Sequence, residues 1–306
     1  MKTLYTHKSE NNFKTILLMG VFLSFFVAIG YFASAYYGNP GILYGAVIFS
    51  IVMNIGSYWF SDKLALAVNG AKEADSKEYI ELHRLVENLA ITAGLPKPRV
   101  YVIEDSAPNA FATGRNKNHA AVAFTTGILN LLDRSELEGV VAHELAHIGN
   151  KDILLQSVVA VLVGSIAMIA DWLMRMSMFG GRDNENKHPL FAILGIVFMI
   201  LSPLIATLIQ LAISRKREFL ADATGALLTR YPEGLASALH KISDYHGPLS
   251  RVNKATAHMF LANPLGGDAD GDGVPDKEQK VSFLAKMFMT HPPVQERIQA
   301  LLSYKK

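Results

Sequence analysis

The chain has 306 residues, half of them apolar and only 18% charged, with 29 Lys and Arg against 27 Asp and Glu. A net charge of +2, with no basic block interleaved with aromatics, argues against nucleic acid as a partner. No cysteine is present, which excludes disulfides and thiolate metal sites, so any zinc must rest on His and carboxylate.

A mean hydropathy of +0.22 suggests a chain divided between lipid and water. Four apolar runs, Thr15–Tyr37, Gly41–Phe60, Ile153–Met174 and Pro189–Ile213, approach or exceed the roughly 20 residues a helix needs to cross a bilayer. Only "GNP" separates the first two, which predicts a tight helical hairpin, and Pro203 should kink the fourth. "ASA" at Ala33–Ala35 resembles a processing site, yet the first run exceeds a signal peptide's usual apolar stretch of about 7–15 residues. A second span follows at once, so the first is read as a retained anchor. Lys2, Lys8 and Lys14 precede the first run and "SRKRE" follows the fourth, which places both termini in the cytoplasm. The organisation expected is a membrane hairpin over 1–60, the first half of a cytoplasmic domain over 61–152, a second hairpin over 153–213, and the second half over 214–306.

Within the polar segments, Tyr79, Leu82, Leu85, Val86, Leu89 and Ala90 recur at helical spacing, with Gly94 as a stop. "RVYVIE", "NAFATG" and "HAAVAFTTG" read as strands, the last two joined by the polar "RNKN". "RSELEGVVAHELAHI" reads as a helix capped by Asp133 or Ser135, with Glu136 and Glu138 near its positive end. It passes without a proline into the third apolar run. "RKREFLADATGALLTR" and "EGLASALHKISDYH" are again helical. The fold class expected is a mostly α membrane protein: four transmembrane helices and an α+β domain with one small sheet of about three strands.

"HELAH" carries the chemistry. On a helix, His143 and His147 project from one face and can reach one zinc, while Glu144 is placed to take a proton from the attacking water. A third histidine ten positions after His143 would extend the motif, but Ile153 stands there. A carboxylate from a second helix is the alternative, and "REFLAD" offers Glu218, with Asp222 one turn on to accept an imidazole N–H. His147 precedes the third apolar run and Glu218 follows the fourth, so both should lie at one membrane depth.

"HELAHIGNKD", followed after two apolar runs by "SRKREFLADATGA", with "PNAFATG" upstream and "THPP" and "ERI" near the end, resembles the HtpX-type membrane zinc metalloproteases, relatives of the CAAX prenyl proteases. The resemblance implies an ATP-independent endopeptidase of membrane-protein quality control, in the bacterial cytoplasmic (inner) membrane with its protease domain cytoplasmic. It implies one Zn2+ on His143, His147 and Glu218, with Glu144 as base and polypeptides as substrates. By the same resemblance, His291 and Arg297 approach the active site, His291 toward the oxyanion and Arg297 to orient it; the alternative is a helix cap and a surface ion pair. Asn109 and Ala110 are candidates to hold an extended substrate at a strand edge, against an ordinary hairpin turn.

"GDADGDGVPDKEQK" sets Asp268, Asp270, Asp272 and Gly273 as the opening of a calcium loop, but Gln279 stands where a bidentate Glu belongs. An acidic Gly/Pro loop over 266–280, including Asp268–Asp276, is preferred to a weak calcium site. Two other functions stay open: a protease that cuts within the bilayer, and a zinc-binding scaffold without proteolysis. The polar "DRSELEG" just before His143 argues against the first, and Glu144, useless to a structural site, argues against the second.

Overall fold

The computed structural model describes residues 4–179, 215–245, 247, 249, 256–262 and 292–303. The fourth apolar run, the acidic loop with Asp268, Asp270 and Asp272, and His291 lie outside the described residues.

Helices α1 (Leu4–Tyr37) and α2 (Pro40–Val68) form the expected hairpin. Gly38 takes a left-handed φ of +63°, the Asn39 side chain caps the Gly41 N–H at 2.9 Å, and Pro40 opens α2 at a position where its missing N–H costs nothing. Two helical stretches, Asn11–Tyr37 and Pro40–Val68, are long and apolar enough to cross a membrane among the described residues. Helices α5 (Arg134–Asn150) and α6 (Asp152–Phe179) would together count as a third, broken one.

That break corrects one expectation. Helix α5 does not run straight into the third apolar stretch: α5 and α6 meet at 86° across Lys151, whose φ is +63°. Lys151 caps α5 by donating its N–H back to the carbonyls of His147 and Ile148. The turn swings Asp152 back toward α5.

The sheet has order β1-β2-β4-β3, with β2 (Arg99–Ile103) parallel to β4 (Ala120–Thr125) and β3 (Ala110–Gly114) antiparallel to β4. The expected sheet of about three strands gains a fourth, β1 (Lys72–Glu73), antiparallel to β2 and too short to carry a sequence pattern. Every residue of β3 and β4 is buried. Ala110, Ala112, Val122 and Phe124 face the core shared with α5, whereas Phe111, Ala121 and Ala123 pack with Ala65 of α2 and Ala160 of α6. Burial on both faces explains why these strands read as near-continuous apolar runs rather than alternating ones.

Helix α3 (Ile80–Thr92) buries Leu82, Leu85, Val86, Leu89 and Ala90, the face its spacing predicts, and the short α4 (Thr126–Leu131) follows β4. Asp133 and Glu136 form a reciprocal capping box at the start of α5. Glu136 also accepts Ser237 Oγ and Lys241 Nζ, each at 2.7 Å, from α8 (Pro232–Ser243), which follows α7 (Arg215–Thr229). Two glycines set the close crossings on α5. A Cβ on Gly139 would lie 2.7 Å from Leu235 N, and one on Gly225 would lie 3.0 Å from His143 N. The second crossing presses α7 onto α5 beside the first histidine. Helix α9 (Val294–Ser303) closes the domain, with Leu301 and Arg297 fully buried.

Candidate metal centre and active site

Three buried side chains converge where α5 and α7 cross. His143, His147 and Glu218 each offer one donor atom, all within 4.8 Å of one another. The two Nε2 atoms face each other at 3.1 Å; Glu218 Oε2 lies 3.8 Å from His143 Nε2, and Oε1 lies 3.6 Å from His147 Nε2. Two imidazole nitrogens bound tetrahedrally at about 2.0–2.1 Å would be about 3.3 Å apart.

The other ring nitrogens face carboxylates. His147 Nδ1 lies 2.9 Å from Asp152 Oδ2. His143 Nδ1 lies 3.0 Å from Asp222 Oδ1, short but off the line of a hydrogen bond, so the contact is chiefly electrostatic. Carboxylates at both Nδ1 positions favour the protons there and leave lone pairs on both Nε2 atoms. Two lone pairs pointing at one another repel unless a proton or a cation sits between them. The donor set therefore fits zinc: two neutral imidazoles and a carboxylate, with both tautomers fixed from behind.

Electrostatics follow from this crowding. Burial pushes Glu144 up to about 7, with His147 opposing, Glu218 reinforcing, and the Ala112 main chain and Arg297 also lowering it. Burial opposes charge on His147, but the bond to Asp152 and the charges of Glu218, Asp152 and Glu144 prevail and raise it to about 9. His143 is lowered, first by burial and then by its neighbour His147, against the pull of Asp222. Asp222 is buried, which would raise it, yet Arg297 holds it down at about 2.

Arg297 is fully buried and makes a forked pair with Asp222, Nε to Oδ2 at 2.9 Å and Nη2 to Oδ1 at 2.7 Å. Its Nη1 lies 3.8 Å from Glu218 Oε2 and donates to the Leu261 carbonyl at 3.3 Å. The last helix thus reaches the candidate metal centre through Asp222 and Glu218, and Arg297 is not in a surface ion pair. Asn109 is also buried, but its amide is engaged. Nδ2 donates to the Ala262 carbonyl at 2.9 Å, Oδ1 accepts the Ala262 N–H at 3.1 Å, and the Ala110 carbonyl accepts the Leu261 N–H at 2.9 Å. The chain's own Leu261–Ala262 segment occupies that end of the β3 edge.

The family model "Peptidase family M48" matches residues 76–305. A protease HtpX homolog of Thermoanaerobacter pseudethanolicus is 46% identical over 99% of this chain and 98% of its own length. One of Pyrococcus furiosus is 44% identical over 94% of each. The chain belongs to peptidase family M48, among its HtpX-type membrane zinc metalloproteases. The crystal structure of S. mikatae Ste24p aligns with 92% of this chain at 18% identity and a TM-score of 0.49, and this chain spans 62% of that one.

In this M48 chain, sequence reasoning misses Asp152. The signal available is "HIGNKD", with a carboxylate five positions after His147, which on a continuous helix would point away from it. Only the left-handed turn at Lys151 brings it back. Asp152 is in turn held by α1: Asn11 Nδ2 donates to Asp152 Oδ1 at 2.7 Å and to the Asn150 carbonyl at 3.3 Å. Arg217 Nη1 donates to Asn11 Oδ1 at 3.2 Å, and its Nε lies 3.9 Å from Asp152 Oδ1. Nothing in sequence spacing links position 11 to position 152.

Proposed function

We propose that His143, His147 and Glu218 hold one zinc ion per chain and that Glu144 is the general base of peptide hydrolysis. The observation carrying this reading is the pair of Nε2 atoms facing one another at 3.1 Å, with each Nδ1 against its own carboxylate. Zinc, when bound, supplies a Lewis acid for the attacking water and the scissile carbonyl. Glu144, buried beside His143, takes the proton of the attacking water and returns it to the departing amine. Asp152 holds the Nδ1 proton of His147, and Asp222 lies against Nδ1 of His143, which keeps the imidazole planes fixed. Arg297 neutralises Asp222 and faces Glu218, which lets these two carboxylates share a buried site. His291 is assigned to the oxyanion by resemblance and spacing.

An extended substrate is proposed to align along β3, whose Ala112 main chain interacts with Glu144. Asn109 and Ala110 would then serve by fixing Leu261–Ala262 at one end of that edge. The substrates proposed are polypeptides, chiefly misfolded or damaged membrane proteins. The same reading has a bacterial cytoplasmic membrane, four spans and a domain joined from 61–152 and 214–306; the basic flanks of the first and fourth apolar runs support both termini lying inside. Setting the site beside the membrane helices would bring such substrates in by lateral diffusion.

The test is turnover of casein or a misfolded membrane protein by the zinc-loaded full chain in detergent. Wild type should cleave, whereas Glu144→Ala and a chelated sample should not, with the variant keeping its metal. Equal turnover by all three would remove the proposal.

A further inference from the structure

Beyond the metal centre, the end of α2 carries an unexplained concentration of positive charge. A hollow of about 520 Å³ opens there, lined by Trp59, Lys63, Lys97, Arg99 and Arg115 among others. Two of its cations are matched: Lys97 pairs with Glu87 at 2.9 Å and Arg99 with Asp62 at 2.6 Å. Lys63 and Arg115 have no carboxylate partner among the described residues. Each instead lies over an aromatic ring of α2: Arg115 4.6 Å from the centre of Trp59, and Lys63 5.8 Å from that of Phe60. Two unmatched cations facing one hollow call for an anion.

A second cavity shows what kind of anion. An almost wholly apolar groove of about 420 Å³ shares Phe60 and Lys63 with the hollow. It follows one face of α2 from Ala67 and Leu64 past Lys63 and through Gly56 to Met53, with Val161 of α6 beside it. α2 is one of the two helices able to cross a membrane, so the groove runs along a surface that meets lipid. Trp59 and Phe60 are both more than a third exposed at the join, where interfacial aromatics are expected.

We propose that hollow and groove together bind an anionic phospholipid, the phosphodiester headgroup between Lys63 and Arg115 and an acyl chain along Phe60, Gly56 and Met53. Free phosphate would satisfy the hollow but leave the groove without purpose. A choline headgroup would bring a cation toward Lys63 and Arg115, and the Trp59 face that could receive it is already covered by Arg115. Arg115 directly follows β3, so the headgroup also ties the β3–β4 turn to the membrane surface. This inference rests on α2 crossing a membrane and is independent of the metal site; cleavage of casein by the same preparation reports on the protease separately.

The test is native mass spectrometry of the full chain in detergent, offered equal amounts of phosphatidylglycerol and phosphatidylcholine with matched acyl chains. The wild type should retain one phosphatidylglycerol at least tenfold over phosphatidylcholine. Lys63→Glu with Arg115→Glu should lower that retention about tenfold or more; the milder Lys63→Gln with Arg115→Gln serves if the first pair does not fold. Gly56→Leu fills the groove where a Cβ meets no atom within 4 Å, and should weaken retention with the headgroup residues intact. Millimolar inorganic phosphate should not displace the lipid. Equal retention of both lipids, or retention unmoved by the charge substitutions, overturns the proposal. Displacement by phosphate with no effect of Gly56→Leu assigns the hollow to a free anion and overturns it equally.

Discussion

Asn11 of the first membrane helix donates to Asp152 at 2.7 Å, and Asp152 turns its other oxygen to His147. A helix able to cross a membrane is thereby part of the support of the proposed metal centre. Removing a carboxylate that orients a ligand imidazole weakens metal binding about 10–100-fold, so Asp152→Ala should fall in that range. Asn11→Ala acts one bond further out and should cost less, roughly severalfold. Because both act through one imidazole, the double variant should be no worse than Asp152→Ala. Titration against a chromophoric zinc chelator reads all three; simple addition of the two losses would disconnect Asn11 from His147.

Glu144→Gln keeps the shape of the side chain and removes the base. Turnover should fall by about two to four orders of magnitude, with zinc stoichiometry unchanged. Loss of zinc from this variant would make Glu144 a ligand and return the search for a base to another residue.

The pair Arg297–Asp222 is buried on both sides. Arg297→Met leaves Asp222 without its main counter-charge, and about 3–5 kcal/mol of stability should be lost. Arg297→Lys should recover only part of this, since an ammonium cannot reproduce the forked contact. Chemical denaturation with the zinc-loaded protein measures both.

What the sequence made legible and what it did not divide along a physical line. His143, Glu144 and His147 share one helical turn, and Glu218 and Asp222 share another, so local periodicity was enough to propose each set. The three main strands were equally plain, because β-branched and small residues cluster between polar turns. Asp152 and Asn11 were hidden because their placement depends on a left-handed residue at Lys151 and on how α1 docks against α5 and α6. Arg297 was visible as a candidate, but its burial beneath Asp222 depends on where the terminal helix packs. Asn109 was visible as a candidate to hold substrate, against a hairpin turn, but its bonds to Ala262 were not, since Ala262 lies far along the chain and no spacing rule joins them.

The pH dependence of metal binding follows from His147. In the metal-free protein its folded value, about 9, lies above the ordinary 6.5. The stabilisation from its proton is therefore complete below pH 6.5 and lost as pH rises through about 9. Glu144, raised from 4.5 to about 7, changes in the same sense at lower pH. His143, lowered by burial, works in the opposite sense below pH 6.5, so the clear loss of thermal stability in the metal-free protein should fall between about pH 6.5 and 9. Zinc must displace the His147 proton, so its apparent affinity should rise with pH up to about 9, by as much as tenfold per unit. Calorimetry at pH 7.5 in buffers of different ionisation enthalpy should show protons released on binding; no release would mean that His147 is already neutral.

The most direct test of the central claim is the zinc-edge X-ray absorption spectrum of the full chain carrying Glu144→Gln. A single zinc per chain, with nitrogen and oxygen neighbours at about 2.0–2.1 Å and the outer-shell scattering of two imidazoles, is the expected result. A spectrum with fewer than two imidazoles, or a shell unchanged by adding Glu218→Ala, would contradict the assignment of His143, His147 and Glu218 as the metal's ligands.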